Sequence, residues 1–224
     1  MEKLCEALSL RRGDIVAFVG GGGKTSAVLC LANELSEAGW RVVVTTTTKV
    51  GSSMPDTLDT VLADRPGWRR SLARAVGSSG RAFLAAGTGP TGKYEGLTAE
   101  GIAGVLSECG ADTAIVEADG ARQRPIKLPA EHEPAMPPDA TLVVPVAGLD
   151  ALGRPPDRST LHRAGLMHSA PAWRGLRSAD RLTPSLVGTI LGSQDGGRKS
   201  VPPGARVIPL LNKADLVAGG RVAL

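Results

Sequence analysis

Aromatic residues are scarce in this chain: two Phe, one Tyr and three Trp make up 3% of 224 residues. That is too few for the stacking platforms on which single-strand binders lay their bases, and no run of five or more Lys or Arg appears, so no nucleic acid is expected as a partner. Cysteine is equally sparse. Cys5, Cys30 and Cys109 stand far apart, without the close pairs that zinc or redox centres need, which suits a reducing compartment. The start Met1-Glu2-Lys3-Leu4 lacks the charged and apolar regions of a leader, and no apolar run approaches membrane-spanning length. A cytoplasmic protein with no membrane partner is the expectation.

What is present is ordinary for a folded domain. Hydrophobic residues make up 42% and charged residues 21%, and no compositional break divides the chain, so residues 1–224 read as a single nucleotide-binding domain. The net charge of +4 suits a polyanionic ligand, although a solvated, arginine-rich surface accounts for it equally well.

The chain alternates short apolar runs with helical periodicity. Strands are predicted at 14–19, 41–47, 82–86, 113–116, 142–146 and 207–211, with the prolines of the last two marking sheet edges or strand ends. Ala27, Val28, Leu31, Ala32 and Leu35 recur at helical spacing up to Gly39. Further helices are expected at 68–76, at 99–107 with Thr98 as N-cap, and at 184–191 with Thr183 at the cap, Pro184 first and Gly192 just beyond. The alternation implies an α/β, P-loop NTPase-like three-layer domain with a mainly parallel sheet. Residues 119–138 and 148–179, rich in Pro, Arg and Gly, read as long functional loops.

Chemistry concentrates at three strand ends. Gly20, Gly21, Gly22 and Gly23 precede Lys24, Thr25 and Ser26 where the first strand gives way to a helix. Unpaired N–H groups at a helix start carry partial positive charge, and glycines let a phosphate approach them closely. Lys24 is then expected to neutralise terminal phosphates, with the hydroxyl of Thr25, or alternatively Ser26, on Mg²⁺. The spacing departs from G-x-x-x-x-G-K-[ST], which requires glycine where Phe18 stands.

The second strand end carries Glu117, Asp119 and Gly120, resembling the [DE]-x-x-G arrangement of GTPases. Glu117 would serve Mg²⁺ directly or through water, Asp119 competes for that role, and either would otherwise orient the attacking water. Gly120 would bring its N–H near the γ-phosphate. Thr48 and Lys49, after the second strand, would face the same phosphate, although threonine is also simply a good strand residue.

At the third strand end Asn212, Lys213 and Asp215 form N-K-x-D, the guanine-recognition sequence of GTPases. The aspartate accepts from guanine N1–H and N2–H₂, donors that adenine does not offer on that edge, so GTP is favoured with ATP possible. His132 and Glu133 do not make H-E-x-x-H, since Met136 holds the second histidine's place and Pro134 would break the helix. Lys127, His132 and Glu133 nevertheless follow the acidic motif closely enough to enter its site.

Together these segments resemble the YqeC family, described as accessory proteins of selenium-dependent molybdenum hydroxylases. The resemblance rests on 19–26, 45–49, 116–121, Lys127-Leu128-Pro129, His132-Glu133-Pro134, Gly148-Leu149-Asp150-Ala151-Leu152-Gly153, His162-Arg163 and 212–215. It implies a factor whose partner is a molybdenum hydroxylase or its maturation machinery. Mg²⁺ and GTP are the expected ligands, and a slow GTPase is the expected activity, with Lys24, Glu117 and Asp119 as catalytic groups. A kinase or nucleotidyl transferase acting on a cofactor precursor is one alternative, and a non-hydrolysing, nucleotide-ordered binding module another. The chain stops at Leu224, soon after Asp215, without room for the further base-contacting loop and final helix of GTPases, as expected of a C-terminally truncated chain.

Overall fold

The computed structural model describes residues 3–51 and 57–216. Its centre is an eight-stranded, all-parallel sheet. In chain order the strands are β1 (Ile15–Gly20), β2 (Val42–Thr46), β3 (Asp59–Leu62), β4 (Arg81–Ala85), the small antiparallel pair β5 (Gly87–Thr88) and β6 (Tyr94–Glu95), then β7 (Thr113–Glu117), β8 (Ile126–Lys127), β9 (Leu142–Gly148), β10 (Leu161–His162), β11 (Arg206–Val207) and β12 (Leu210–Asn212). The helices are α1 (Leu4–Ala7), α2 (Lys24–Glu37), α3 (Trp68–Ser79), α4 (Ile102–Cys109), α5 (Arg174–Arg177) and α6 (Pro184–Gly192).

The sheet runs β11-β9-β1-β7-β2-β4-β3, with β12 also on β9. Its central strands are buried on both faces and read as continuous apolar runs because helices cover both sides. On one face Val16, Phe18, Val44, Phe83 and Val144 meet Val28, Leu31 and Leu35 of α2. On the other, Ala17, Val43, Leu84 and Val116 lie under α3 and α4. The expected three-layer α/β arrangement is therefore what the chain adopts. Because every strand of this sheet points the same way, the ends of β1, β2, β7, β9 and β12 share one edge, where open α/β sheets collect ligands.

Several expectations need correction. Pro145 lies in β9, which has neighbours on both sides, rather than at an edge or strand end. Val143 O accepts from Ile208 N–H on the outer side, so by alternation the missing N–H of Pro145 also faces outward. Continuing the register of β11 and β12 puts Pro209 opposite Pro145, at the break between those two strands. Two residues without a donor therefore share one gap in the ladder.

Thr98 makes no side-chain cap; a 3-10 turn at Ala99–Gly101 precedes α4 instead. Thr183 does cap α6, accepting from Leu186 N–H, but that helix runs through Gly192. β3 was not anticipated, since only Val61 of its four residues is buried and it pairs on one side alone. Residues 119–138 and 148–179 are more than loops. They hold β8, β10, α5 and 3-10 turns around a satellite core of Ile126, Leu161, Trp173, Leu176, Val187 and Ile190.

Candidate phosphate-binding cleft

The glycine turn after β1 is held by backbone contacts. Gly21 N–H donates to Val146 O and Gly22 N–H to Arg124 O. Gly22 and Gly23 adopt φ of 77° and 111°, and a Cβ on Gly22 would run into the backbone of Gly148, so no other residue fits there. The first helical bond of α2 runs from Ala27 N–H to Gly23 O, and no side chain caps the helix. The N–H groups ahead of Ala27 thus lack an intrahelical acceptor and open towards a cleft of about 590 Å³. Gly23, Lys24, Thr25, Glu117 and Gly120 line it, together with Thr48 and Lys49 just after β2.

Lys24 is 4% exposed, a burial that an ammonium tolerates only when partnered. Its Nζ donates to Gly20 O at 2.6 Å and lies 3.0 Å from Asp119 Oδ1 and 4.0 Å from Glu117 Oε1. Asp119 Oδ2 accepts from Gly20 N–H at 3.0 Å, tying the end of β7 to the start of the turn. Thr25 Oγ1 donates to Glu117 Oε2 at 2.9 Å, whereas Ser26 is exposed and does not line the cleft. Burial raises the Glu117 carboxyl above its ordinary range, against the pull of Lys24 and Thr25.

The donor set fits Mg²⁺. Thr25 Oγ1 and Glu117 Oε2 sit side by side, and Asp119 Oδ1, though close to Lys24, is buried with no hydrogen bond of good geometry. Mg²⁺ takes one or two carboxylates and keeps water and phosphate as its other ligands; no cluster of three or more His, Cys, Asp or Glu occurs among the described residues.

The remaining predicted residues divide. Thr46, not Thr48, bonds to β7, through its hydroxyl to Glu117 O at 2.9 Å, while Thr48 lines the cleft. Lys49 is exposed and paired with Glu95. Asn212 Nδ2 donates to Gly22 O at 3.0 Å and its Oδ1 accepts from Lys213 N–H, so the end of β12 braces the glycine turn. Lys213 Nζ is 2.9 Å from Asp150 Oδ2. None of Asn212, Lys213 and Asp215 lines the cleft itself, and Asp215 is exposed in the turn Ala214–Leu216.

The opposite wall was only partly foreseen. Pairing of β8 with β10 sets His162 beside Lys127 and carries Arg163 over Glu133. The Lys127 side chain is fully buried and its Nζ meets Gly120 O at 2.8 Å, Asp119 Oδ2 at 3.2 Å and Glu133 Oε1 at 3.0 Å. Arg163 grips Glu133 with two nitrogens, at 2.9 and 3.0 Å. Burial opposes ionisation of Glu133, yet Arg163, Ala130 N–H and Lys127 together lower it from 4.5 to about 2. Burial, then the charges of Lys127 and Arg163, pushes His162 below its usual range. His132, by contrast, is exposed and outside the cleft. Arg122, Gln123 and Lys93, which also line the cleft, carried no sequence signal beyond their charge or polarity.

A family model described as "YqeC protein" matches residues 16–165, a span that contains the glycine turn, Glu117, Lys127 and Arg163. A protein of Escherichia coli (strain K12) called "Uncharacterized protein YqeC" is 32% identical over 213 residues, covering 91% of this chain and 77% of the relative. With a model match over most of its length and a relative of that similarity, this chain belongs to the YqeC family.

Proposed function

We propose that the protein is a Mg²⁺-dependent GTP-binding protein and slow GTPase that serves as an accessory factor in the maturation of a selenium-dependent molybdenum hydroxylase. One observation carries the nucleotide reading: free helix N–H groups, the Lys24 ammonium and the Thr25–Glu117 pair converge on one side of the cleft. The choice of guanine rests on the N-K-x-D sequence, whose Asn212 is tied to the glycine turn. The pathway rests on the family resemblance.

In this reading the triphosphate lies along the turn. Lys24 leaves Gly20 O and Asp119 for the β- and γ-phosphate oxygens, to which the first-turn N–H groups also donate. Thr25 with Glu117, or with Asp119 in its place, would hold Mg²⁺, which when bound supplies positive charge against the phosphate oxygens, leaving the other carboxylate for the water. Glu117 or Asp119 orients water on the γ-phosphorus. A new P–O bond forms to the water oxygen, the bond to the β–γ bridging oxygen breaks, and GDP and inorganic phosphate leave.

Titration of the purified chain with GTP, ATP and CTP in Mg²⁺, with phosphate release followed in parallel, tests this. GTP is expected to bind best, and Lys24→Ala to weaken it at least 100-fold. Thr25→Ala, which leaves the buried charges in place, is expected to lose the Mg²⁺ dependence. Equal GTP binding by both variants would overturn the reading; an ATP preference would remove the guanine assignment alone.

A further inference from the structure

The cleft continues past the phosphate turn. Arg122, His162 and Arg163 of its far wall also line a second pocket of about 340 Å³, bounded further by Arg124, Arg158 and Leu161. Two distant segments bring these arginines together, because β8 follows Arg124 and β10 follows Arg158, and the two strands pair.

Arg163 is neutralised by Glu133, but Arg122, Arg124 and Arg158 meet no carboxylate at ion-pair distance among the described residues. The Arg124 side chain is oriented through its Nε–H, which donates to Arg158 O at 2.9 Å; its outer nitrogens have no protein acceptor among the described residues. Arg122, Gln123 and Arg163 hold φ of 47°, 61° and 65°, a region that costs a non-glycine residue energy and recurs where side chains are aimed at a ligand.

Guanidinium forks match phosphate oxygens two at a time, and three such groups line this concavity without an ion-paired carboxylate; Asp157, near enough to feel the charge of Arg124, has its carboxylate engaged by Ser159. No Phe, Tyr or Trp lines it, which removes the stacking surface a nucleic-acid strand would use, and its volume suits a small molecule.

We propose that this pocket binds the phosphate group of a second, small organic ligand beside the nucleotide, so that the cleft receives two anionic ligands at once. The nucleotide reading determines only what fills the neighbouring space; anion binding by the arginines stands independently of it. His162, shared by both pockets, then lies between the two ligands as a hydrogen-bonding group.

Calorimetric titration of the full chain with ribose 5-phosphate, inorganic phosphate, ribose and a twelve-residue oligouridylate tests the proposal. The wild type and Lys24→Ala should bind ribose 5-phosphate and phosphate within threefold of each other, and ribose should not bind. Arg124→Ala/Arg158→Ala should weaken both phosphates at least tenfold while GTP affinity stays within threefold. Arg158→Ala alone, which keeps the backbone carbonyl that orients Arg124, serves as a second variant and should weaken them several-fold. Loss in Lys24→Ala with retention in the arginine variants would assign the phosphate to the glycine turn and overturn the proposal. So would an absence of phosphate binding to the wild type, or oligouridylate binding at least 100-fold tighter than ribose 5-phosphate. Failure of GTP to bind while Lys24→Ala still takes ribose 5-phosphate would sink the nucleotide reading and leave this one standing.

Discussion

The two walls of the cleft are held in opposite ways. The glycine turn is fixed by main chain: Gly21 and Gly22 are hydrogen-bonded to Val146 and Arg124, and Gly22 lies too close to Gly148 for any side chain. The facing wall is fixed by side-chain charge, in the series Arg163–Glu133–Lys127, which Asp119 joins to Lys24 at the glycine turn; the successive contacts are 2.9, 3.0, 3.2 and 3.0 Å. The backbone of the glycine turn presents the same donors at every pH, because its peptide groups do not titrate, and only the side chains set against it, such as Glu117, respond to acid. A wall of alternating charges depends on each member keeping its ionisation, since a buried ion left unpaired is far more costly than a pair is stabilising.

The largest test of that difference is Lys127→Met. It removes a cation shared by Asp119 and Glu133 and puts an apolar side chain between them, leaving the buried Asp119 with Lys24 alone and the half-buried Glu133 with Arg163 alone. A loss of about 3–5 kcal/mol is expected from such a break, read as a shift in the urea midpoint at pH 7. A loss under about 1 kcal/mol, the range of exposed pairs, would mean that water reaches the series and that the wall is not charge-built.

A smaller effect separates Glu133 from Glu117. Glu133 is held down to about 2, so its favourable contribution is present above its ordinary 4.5 and is lost as pH falls towards 2. Glu117 is raised, so its contribution is present below the ordinary value and is lost as pH climbs through the raised one. Glu133→Gln should therefore destabilise by about 1–3 kcal/mol at pH 7, with the gap to wild type closing between pH 4.5 and 2. Glu117→Gln should cost less at pH 7, and relatively more as the wild type is acidified. Parallel stability profiles for the two variants would show that the walls do not differ electrostatically.

The same contrast governs how much could be read from the sequence. The main-chain wall is local: a buried strand, four glycines and an amphipathic helix follow one another within 15–37, and Glu117 ends an apolar run, so both were legible. The parallel sheet was legible for the same reason, apart from β3, whose single buried residue gives no pattern. The charge-built wall depends on β8 meeting β10, two strands of two residues each, separated by a long irregular segment. Two residues cannot show a period, so Lys127 and Glu133 could be suspected from proximity to the acidic motif, but the place of Arg163 between them and the solvent could not. Pro145 misled because a missing N–H argues for an edge only until its opposite number, Pro209, is known.

The smallest expected effect concerns a residue that belongs to neither wall. Asp215 follows three residues after Asn212, which braces the glycine turn, yet it is exposed and makes no hydrogen bond or ion pair among the described residues. The structure gains nothing visible from its carboxylate, so Asp215→Ala should change folding stability by less than about 0.5 kcal/mol, as for ordinary surface positions. In the GTP reading proposed above, a carboxylate with no contact among the described residues would meet the guanine N1–H and N2–H₂ pair, and its loss should lower the preference for GTP over ATP by about tenfold, one hydrogen-bonded charge's worth of discrimination. Competition titration with both nucleotides at fixed Mg²⁺ reads this directly. A large stability loss would reveal a structural duty for Asp215. An unchanged preference in a well-folded variant would detach the N-K-x-D segment from base selection and leave Asn212 as a brace for the main-chain wall.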